Sequence, residues 1–303
     1  AYEILRCLVG SEMCIRDSIG GVYYSFASTF TQLADNEIDG YTFETKTTAG
    51  SVANLRLISD GYIDLAIVQA DLLSDAYNAT GTFADKKYQK GYKAVASLYT
   101  ECCQIVVRKD SGITGIDDLI NKTVSVGASE SGTEKNAEQI LKMSGITDEL
   151  INKVNMDYTE AAEKLKAGEI DAFFCTAGTR TEVIGQLSKE CDICLISLDD
   201  KCIDKMLSAY SLCEKYTIPA GTYNGQDSDV TTIGVKAVLI AKQSLSDDVI
   251  KNVTKTIYEH ADDFKYATSL DISFDINTAA DGVDIPFHSG AAAYYTCLLY
   301  TSD

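Results

Sequence analysis

One phrase occurs twice in this chain, and the pair of copies limits the possible folds more than any other feature. Ser59-Asp60-Gly61-Tyr62-Ile63-Asp64-Leu65-Ala66-Ile67-Val68 is echoed by Lys166-Ala167-Gly168-Glu169-Ile170-Asp171-Ala172-Phe173-Phe174. Apolar residues at helical spacing precede each copy: Val52, Leu55 and Ile58 before the first, Ala161, Ala162 and Leu165 before the second. Each copy then breaks at a glycine suited to a left-handed helix end and enters a short apolar strand. Asp64 and Asp171 lie 107 positions apart. That spacing is too long for a solenoid repeat and fits two related α/β lobes with a ligand cleft between them.

The 303 residues have room for two such lobes, and their formal net charge of −19 bears on the partners. Nucleic-acid binding requires clustered Lys and Arg, and Lys86-Lys87 is the densest pair present. A small anionic ligand stays compatible, because a few local backbone donors suffice to hold one. No apolar run approaches the length of a membrane span.

The termini read differently from the body. Residues 3–17 lack a clean period and lack the basic start, apolar centre and cleavage site of a signal peptide. Leu8 to Ser18 and Cys297 to Asp303 resemble translated sequencing-adapter read-through. Residues 1–18 and 296–303 are therefore expected to be non-native tails, with the first strand of the first lobe missing. Seven cysteines remain between them. Cys191 and Cys194 have redox or zinc spacing, with Cys202 and Cys213 nearby. Neither a zinc ribbon nor a full disulfide framework completes, so a local disulfide and plain thiols stay open and no metal site is expected.

Strands and helices alternate along the body. Strand patterns cover 41–48, 64–69, 94–98, 104–108, 123–126, 154–157, 172–175 and 192–197; helical patterns cover 52–59, 133–143, 159–166, 183–188, 201–213 and 247–263. The apolar stretch Thr231–Ala241 suits a segment crossing between lobes. The fold class is α/β with mainly parallel sheets.

The sharpest local signal is Val124-Ser125-Val126-Gly127-Ala128-Ser129-Glu130-Ser131-Gly132-Thr133-Glu134, which runs strand, small-residue loop, helix. A helix start supplies unpaired N–H groups and a positive dipole end, and Ser129, Ser131 and Thr133 add hydroxyls, so the segment is a candidate carboxylate or phosphate site. The plainer alternative is a helix capped by Ser131 or Thr133. It is not a P-loop, since the Gly-Lys-Ser/Thr ending is absent. Thr47-Thr48-Ala49-Gly50-Ser51 makes a similar entrance in the other half, and Gly20-Gly21-Val22-Tyr23-Tyr24 a third. Tyr23 and Tyr24 pave a pocket, or divide between core and solvent. Gln69 ends the strand of the first repeat; Ala177, Gly178 and Thr179 lie just beyond the strand of the second, where open α/β sheets hold ligands. Catalytic patterns are weak. The histidines are His260, expected to face solvent, and His288, expected to be structural, and no nucleophile elbow, metalloprotease or dinucleotide signature occurs.

Together with Gly20 to Tyr24, Thr48 to Leu55, Val68 to Asp71, Val126 to Thr133 and Asp171 to Phe174, the segments Ile218 to Tyr223, Thr232 to Ala237 and Ile285 to Ala292 follow one order. In that order the chain resembles TAXI-type substrate-binding proteins of TRAP transporters, over roughly Ile19 to Tyr295. The resemblance implies a two-lobed, type II periplasmic-binding-protein-like fold with lobe I over 19–108 and 232–295 and lobe II over 109–231. It implies a non-enzymatic, extracytoplasmic solute-binding protein that delivers a small organic acid, glutamate-like or an oxoacid, to a TRAP-type membrane permease. A ligand-sensing module of a signalling receptor with the same fold is the alternative. No cofactor is implied. Gly21, Tyr23, Tyr24, Thr48, Ser51, Gln69, Ser129, Ser131, Gly132, Thr133, Ala177, Gly178 and Thr179 are the expected ligand-binding residues. The chain departs from the family pattern at Cys175-Thr176 and at Arg180, which could pair with a ligand acid or face solvent.

Overall fold

The computed structural model describes residues 11–17, 22–85, 91–268, 274 and 276–301, with the side chains of 11–17 and 298–301 left aside. Gly20 and Gly21 lie outside the described residues. In chain order the elements are β1 (Ser11–Asp17), α1 (Val22–Glu37), β2 (Tyr41–Thr47), α2 (Ser51–Ser59), β3 (Leu65–Gln69), α3 (Ala70–Asn78) and β4 (Tyr92–Arg108). Next come β5 (Thr123–Ser125), α4 (Gly132–Met143), β6 (Asn152–Val154), α5 (Tyr158–Ala167), β7 (Ala172–Ala177), α6 (Glu182–Glu190), β8 (Ile193–Leu195), α7 (Asp200–Ala209) and β9 (Cys213–Ile218). The chain closes with β10 (Val230–Lys242), α8 (Asp247–Glu259), α9 (Ala261–Thr268) and α10 (Ser289–Thr301).

The strands form one sheet in the order β2-β1-β3-β10-β4-β7-β5-β6, with β8 on β4 and β9 on β10. The repeat explains this order. α2 and α5 each end in a turn whose glycine takes positive φ, +82° at Gly61 and +75° at Gly168. After each turn the chain enters a fully buried strand, β3 or β7. β3 lies parallel to β1, which lies parallel to β2; β7 lies parallel to β5, which lies parallel to β6. Each parallel triplet is then closed by an antiparallel strand, β10 beside β3 and β4 beside β7. The two triplets are the two lobes.

β4 and β10 join them. β4 pairs with β10 through its first part and with β7 and β8 through its second. β10 pairs with β9 over Val230–Val235 and with β3 over Ala237–Ala241. The crossing role expected of Thr231–Ala241 is thus that of β10. The sequence expectation of two strands at 94–98 and 104–108 is corrected: Tyr92–Arg108 is one strand. β9 carries no strand expectation; only its ends, Cys213 and Ile218, are buried, so its apolar pattern is weak. The helix expected over 247–263 breaks at His260, where α8 gives way to α9.

The first strand position is filled by Ser11–Asp17, within the segment read as a tail, in parallel register with Tyr41–Thr47. The core lies on both faces of the sheet. One cluster joins Phe26 and Phe30 of α1 to Val253 and Ile257 of α8 and Phe264 of α9. Separate clusters fill the other face of lobe I around Leu55, Leu72 and Phe83, and of lobe II around Leu119, Ile140 and Ile203. Among the described residues no helix is long and apolar enough to cross a membrane.

Candidate functional site

The carboxyl ends of β3 and β7 face each other across the join of the lobes. There Ala49, Gly50, Ser51 and Gln69 of lobe I meet Ser131, Gly132, Thr133, Tyr158, Thr176 and Ala177 of lobe II, and Val22, Tyr23 and Glu101 complete the wall. The enclosed space is about 20 Å³, room for about one water molecule. The lobes are closed on one another.

Three contacts hold this closure. Arg56 of α2 reaches Glu130, in the loop before α4, with Nη2 to Oε2 at 2.9 Å. Ala53 N, an orphan donor at the start of α2, donates to the Glu130 carbonyl at 3.1 Å. Asn136 Nδ2 of α4 donates to Asp71 Oδ2 of α3 at 3.5 Å. Glu130 has φ of +63°, an uncommon conformation for a non-glycine residue, and it presents carbonyl and carboxylate to the same helix. Gly50 is required twice: its φ of +130° is open to glycine alone, and a Cβ there would lie 3.2 Å from Ser131 Cα.

Ser131 is the N-cap of α4, and its Oγ accepts from Glu134 N at 3.0 Å. The preceding donors, Gly132 N–H and Thr133 N–H, have no intrahelical acceptor by helix geometry. Both residues line the cavity at the positive end of the helix dipole, an arrangement that suits a carboxylate. The Thr133 hydroxyl has another task. Thr133 Oγ1 accepts from Thr176 N at 3.2 Å and lies 2.5 Å from Tyr158 Oη, which itself donates to Thr176 O at 3.0 Å. With the tyrosine proton so placed, Thr133 Oγ1 donates to Tyr158. In the closed form this hydroxyl is thus engaged within lobe II.

The lobe I wall is built around a residue that carried no sequence expectation. Glu101 sits in the middle of β4 with 3% exposure. Its Oε2 accepts from Tyr23 Oη at 2.5 Å and from Gln69 Nε2 at 3.2 Å. Burial pushes its carboxyl up to about 8, with the nearby Asp71 charge adding to the shift and the two hydrogen bonds opposing it. Asp71 itself is pushed up to about 6, again mainly by burial. Ser51 Oγ accepts from Gln69 N at 3.1 Å, so Ser51 orients the residue that spans the cavity. The Gln69 carboxamide lies against Gly132: a Cβ on Gly132 would stand 2.2 Å from Gln69 Oε1.

Tyr23, Ser51, Gln69, Ser131, Gly132, Thr133 and Ala177, all expected at the site, therefore meet at one cavity. The others lie elsewhere. Tyr24 is 44% exposed and lines an outer groove of about 520 Å³ with Arg180 and Lys189. The tyrosine pair divides, because Tyr23 shares the buried face of α1 with Phe26 and Phe30. Thr48 Oγ1 donates to Asn54 Oδ1 and accepts from Gly50 N, bracing the turn behind the cavity. Ser129 is exposed, Gly178 O accepts from Thr181 Oγ1, and Thr179 lines a second surface groove with Arg180.

Both histidines are remote from this cavity. His260 does not simply face solvent: it bridges Glu37 of α1, 2.6 Å from Nε2, and Asp263 of α9, 2.9 Å from Nδ1. His288 is buried beside α10, and its Nδ1 accepts from Gly290 N. Cys191, Cys194, Cys202 and Cys213 are free of disulfides. No cluster of three His, Cys, Asp or Glu side chains that could hold a metal ion occurs among the described residues.

A sequence profile of the NMT1-like family matches residues 17–296. The chain is also similar to several solved structures. PhnD1 from Prochlorococcus marinus (MIT 9301), in complex with methylphosphonate, aligns at 12% identity and a TM-score of 0.57, covering 86% of this chain and 90% of that one. A putative L-cystine ABC transporter from Listeria monocytogenes aligns at 12% identity and 0.54, covering 86% and 94%. The alkanesulfonate-binding protein SsuA from Xanthomonas axonopodis pv. citri, bound to MOPS, aligns at 11% and 0.50, covering 96% and 85%. At such identities the likeness carries the fold, which is that of the type II periplasmic binding proteins.

Proposed function

The chain belongs to the NMT1-like family, and on that footing we propose that it is an extracytoplasmic solute-binding protein that captures a small organic acid between its lobes. The observation that carries the reading is the cavity at the lobe junction, where the unpaired N–H groups of Gly132 and Thr133 meet residues from both lobes. The ligand carboxylate lies against those two groups. Gln69, Ser51 and Tyr23 face its other end. Because the closed cavity holds about one water, the ligand enters an open form and is enclosed as the lobes hinge about β4 and β10. The division of the lobes falls near Arg108 and Thr232.

Delivery is to a TRAP-type membrane permease, a reading that rests on the ordered motif set from Gly20 to Ala292. The Listeria relative is named as an ABC transporter, so the two energy sources need separating by experiment. Uptake reconstituted with the membrane permease it serves should follow a sodium or proton gradient; strict dependence on ATP would reject the TRAP partner. The protein is read as a binder with no turnover, since among the described residues the cavity lining holds no histidine and no serine, threonine or cysteine hydrogen-bonded to a side-chain base.

The capture itself is tested by thermal unfolding of the purified chain against amino acids, dicarboxylates and oxoacids. A ligand at a hundred times its Kd adds about 2.7 kcal/mol of stability. A panel in which no acid raises the unfolding midpoint rejects the reading.

A further inference from the structure

We propose that the captured acid carries a protonated amine beside its carboxylate, and that Glu101 is the residue that selects for it. The inference rests on the solute-binding reading above and concerns the polarity of its cavity. The lobe II wall offers donors, the N–H groups of Gly132 and Thr133 at the start of α4. The lobe I wall offers acceptors. Both hydrogen bonds to Glu101 fall on Oε2, and Oε1 accepts none among the described residues. Gln69 Oε1 is buried without a partner. No Lys, Arg or His forms an ion pair with Glu101 among the described residues, although its side chain is almost wholly buried.

A buried carboxyl group without a counter-ion is costly to ionise, and a buried acceptor without a donor is costly to leave. A ligand ammonium answers both: its N–H groups can serve Glu101 Oε1 and Gln69 Oε1 while the adjoining carboxylate meets the helix start. A 2-oxoacid of the same shape has no N–H to offer and would set its carbonyl oxygen against the unpartnered Gln69 Oε1. Glu101, held near neutral in the closed empty cleft by its burial, would give up its proton as the ammonium arrives. Binding of an amine at neutral pH is therefore coupled to proton release.

The test is calorimetric titration of the wild-type chain at neutral pH with matched pairs, L-glutamate against 2-oxoglutarate and L-alanine against pyruvate. Each titration is run in two buffers of different ionisation enthalpy. In at least one pair the amine should bind about tenfold or more tightly than its oxoacid, with release of protons. Glu101→Gln should remove that preference and the proton release, leaving the oxoacid no weaker. An oxoacid that binds wild type as tightly as its amine overturns the inference, as does a preference that survives Glu101→Gln. The wild-type comparison stands even if the variant does not fold. Binding of neither member of either pair, or an oxoacid preference, overturns the inference alone; the reading on which it rests falls only if the wider thermal panel also holds no acid that binds.

Discussion

Substituting Gly132 by alanine should separate closure of the cleft from stability of the fold. Gly132 is the first residue of α4 and has no positive φ, so the backbone accepts alanine, and a helix former there is neutral or slightly favourable. The new Cβ would lie 2.2 Å from Gln69 Oε1, 2.4 Å from Cδ and 2.8 Å from Nε2. The Gln69 amide must then retreat by roughly an ångström. That retreat breaks its 3.2 Å bond to Glu101, a loss of about 1–2 kcal/mol suffered by the closed form alone. One or two kcal/mol is a factor of about 5–30 in an equilibrium, so calorimetry should show affinity for the cognate acid reduced by that factor. The unfolding midpoint of the ligand-free chain should stay near wild type. In a Gln69→Ala background the alanine has room, so the double variant should bind no more weakly than Gln69→Ala. Unchanged affinity on Gly132→Ala, or an equal loss in both backgrounds, refutes the reasoning.

Other perturbations address different layers of the account. Thr133→Val keeps the shape but leaves the buried Thr176 N–H without its acceptor, so the chain should lose about 1–3 kcal/mol of stability; an unchanged urea midpoint would contradict the structural role given to that hydroxyl. Arg56→Ala removes a half-exposed interlobe pair of small expected worth, about 0–1 kcal/mol, so affinity should fall less than about fivefold, and a hundredfold loss would mean that the latch dominates closure. His260 is held above its ordinary range, chiefly by its hydrogen bonds to Asp263 and Glu37. Its contribution is therefore full below the unfolded value of about 6.5 and is lost as pH rises through the higher folded value. The midpoint difference between wild type and His260→Gln should be larger near pH 5.5 than near pH 9; equal differences would show that the Glu37–His260–Asp263 bridge carries no proton-linked stability.

The lobes were legible because their signals are local. A helix, a glycine in left-handed conformation and a short apolar strand recur at Gly61 and Gly168, and each unit is complete within about twenty residues. The helix-start loops were legible for the same reason: the small residues around Gly50 and Gly132 mark close approach of backbone. What escaped depends on contacts remote in sequence. β4 read as two strands because Thr100 and Glu101 interrupt its apolar run, and that interruption is where the strand enters the cavity. A lone glutamate inside a buried strand pattern is itself a signal of a site, and it would have pointed to Glu101. Tyr23 and Tyr24 were separable by helical phase, since only Tyr23 falls on the Phe26–Phe30 face. The occupation of the Thr133 hydroxyl was beyond reach, because Tyr158 and Thr176 arrive from α5 and β7. So was the Glu37–His260 bridge, whose partners are 223 positions apart.

The claim at the centre is that a ligand carboxylate is held by two main-chain donors at the start of α4. The most direct measurement is the pair of amide resonances of Gly132 and Thr133 in isotope-labelled protein, followed as the tightest acid from the thermal panel is added. The account predicts that these two amide protons move strongly downfield at saturation, with Gln69 and Glu101 also shifting. A ligand that saturates the protein while both amides stay in place would contradict it.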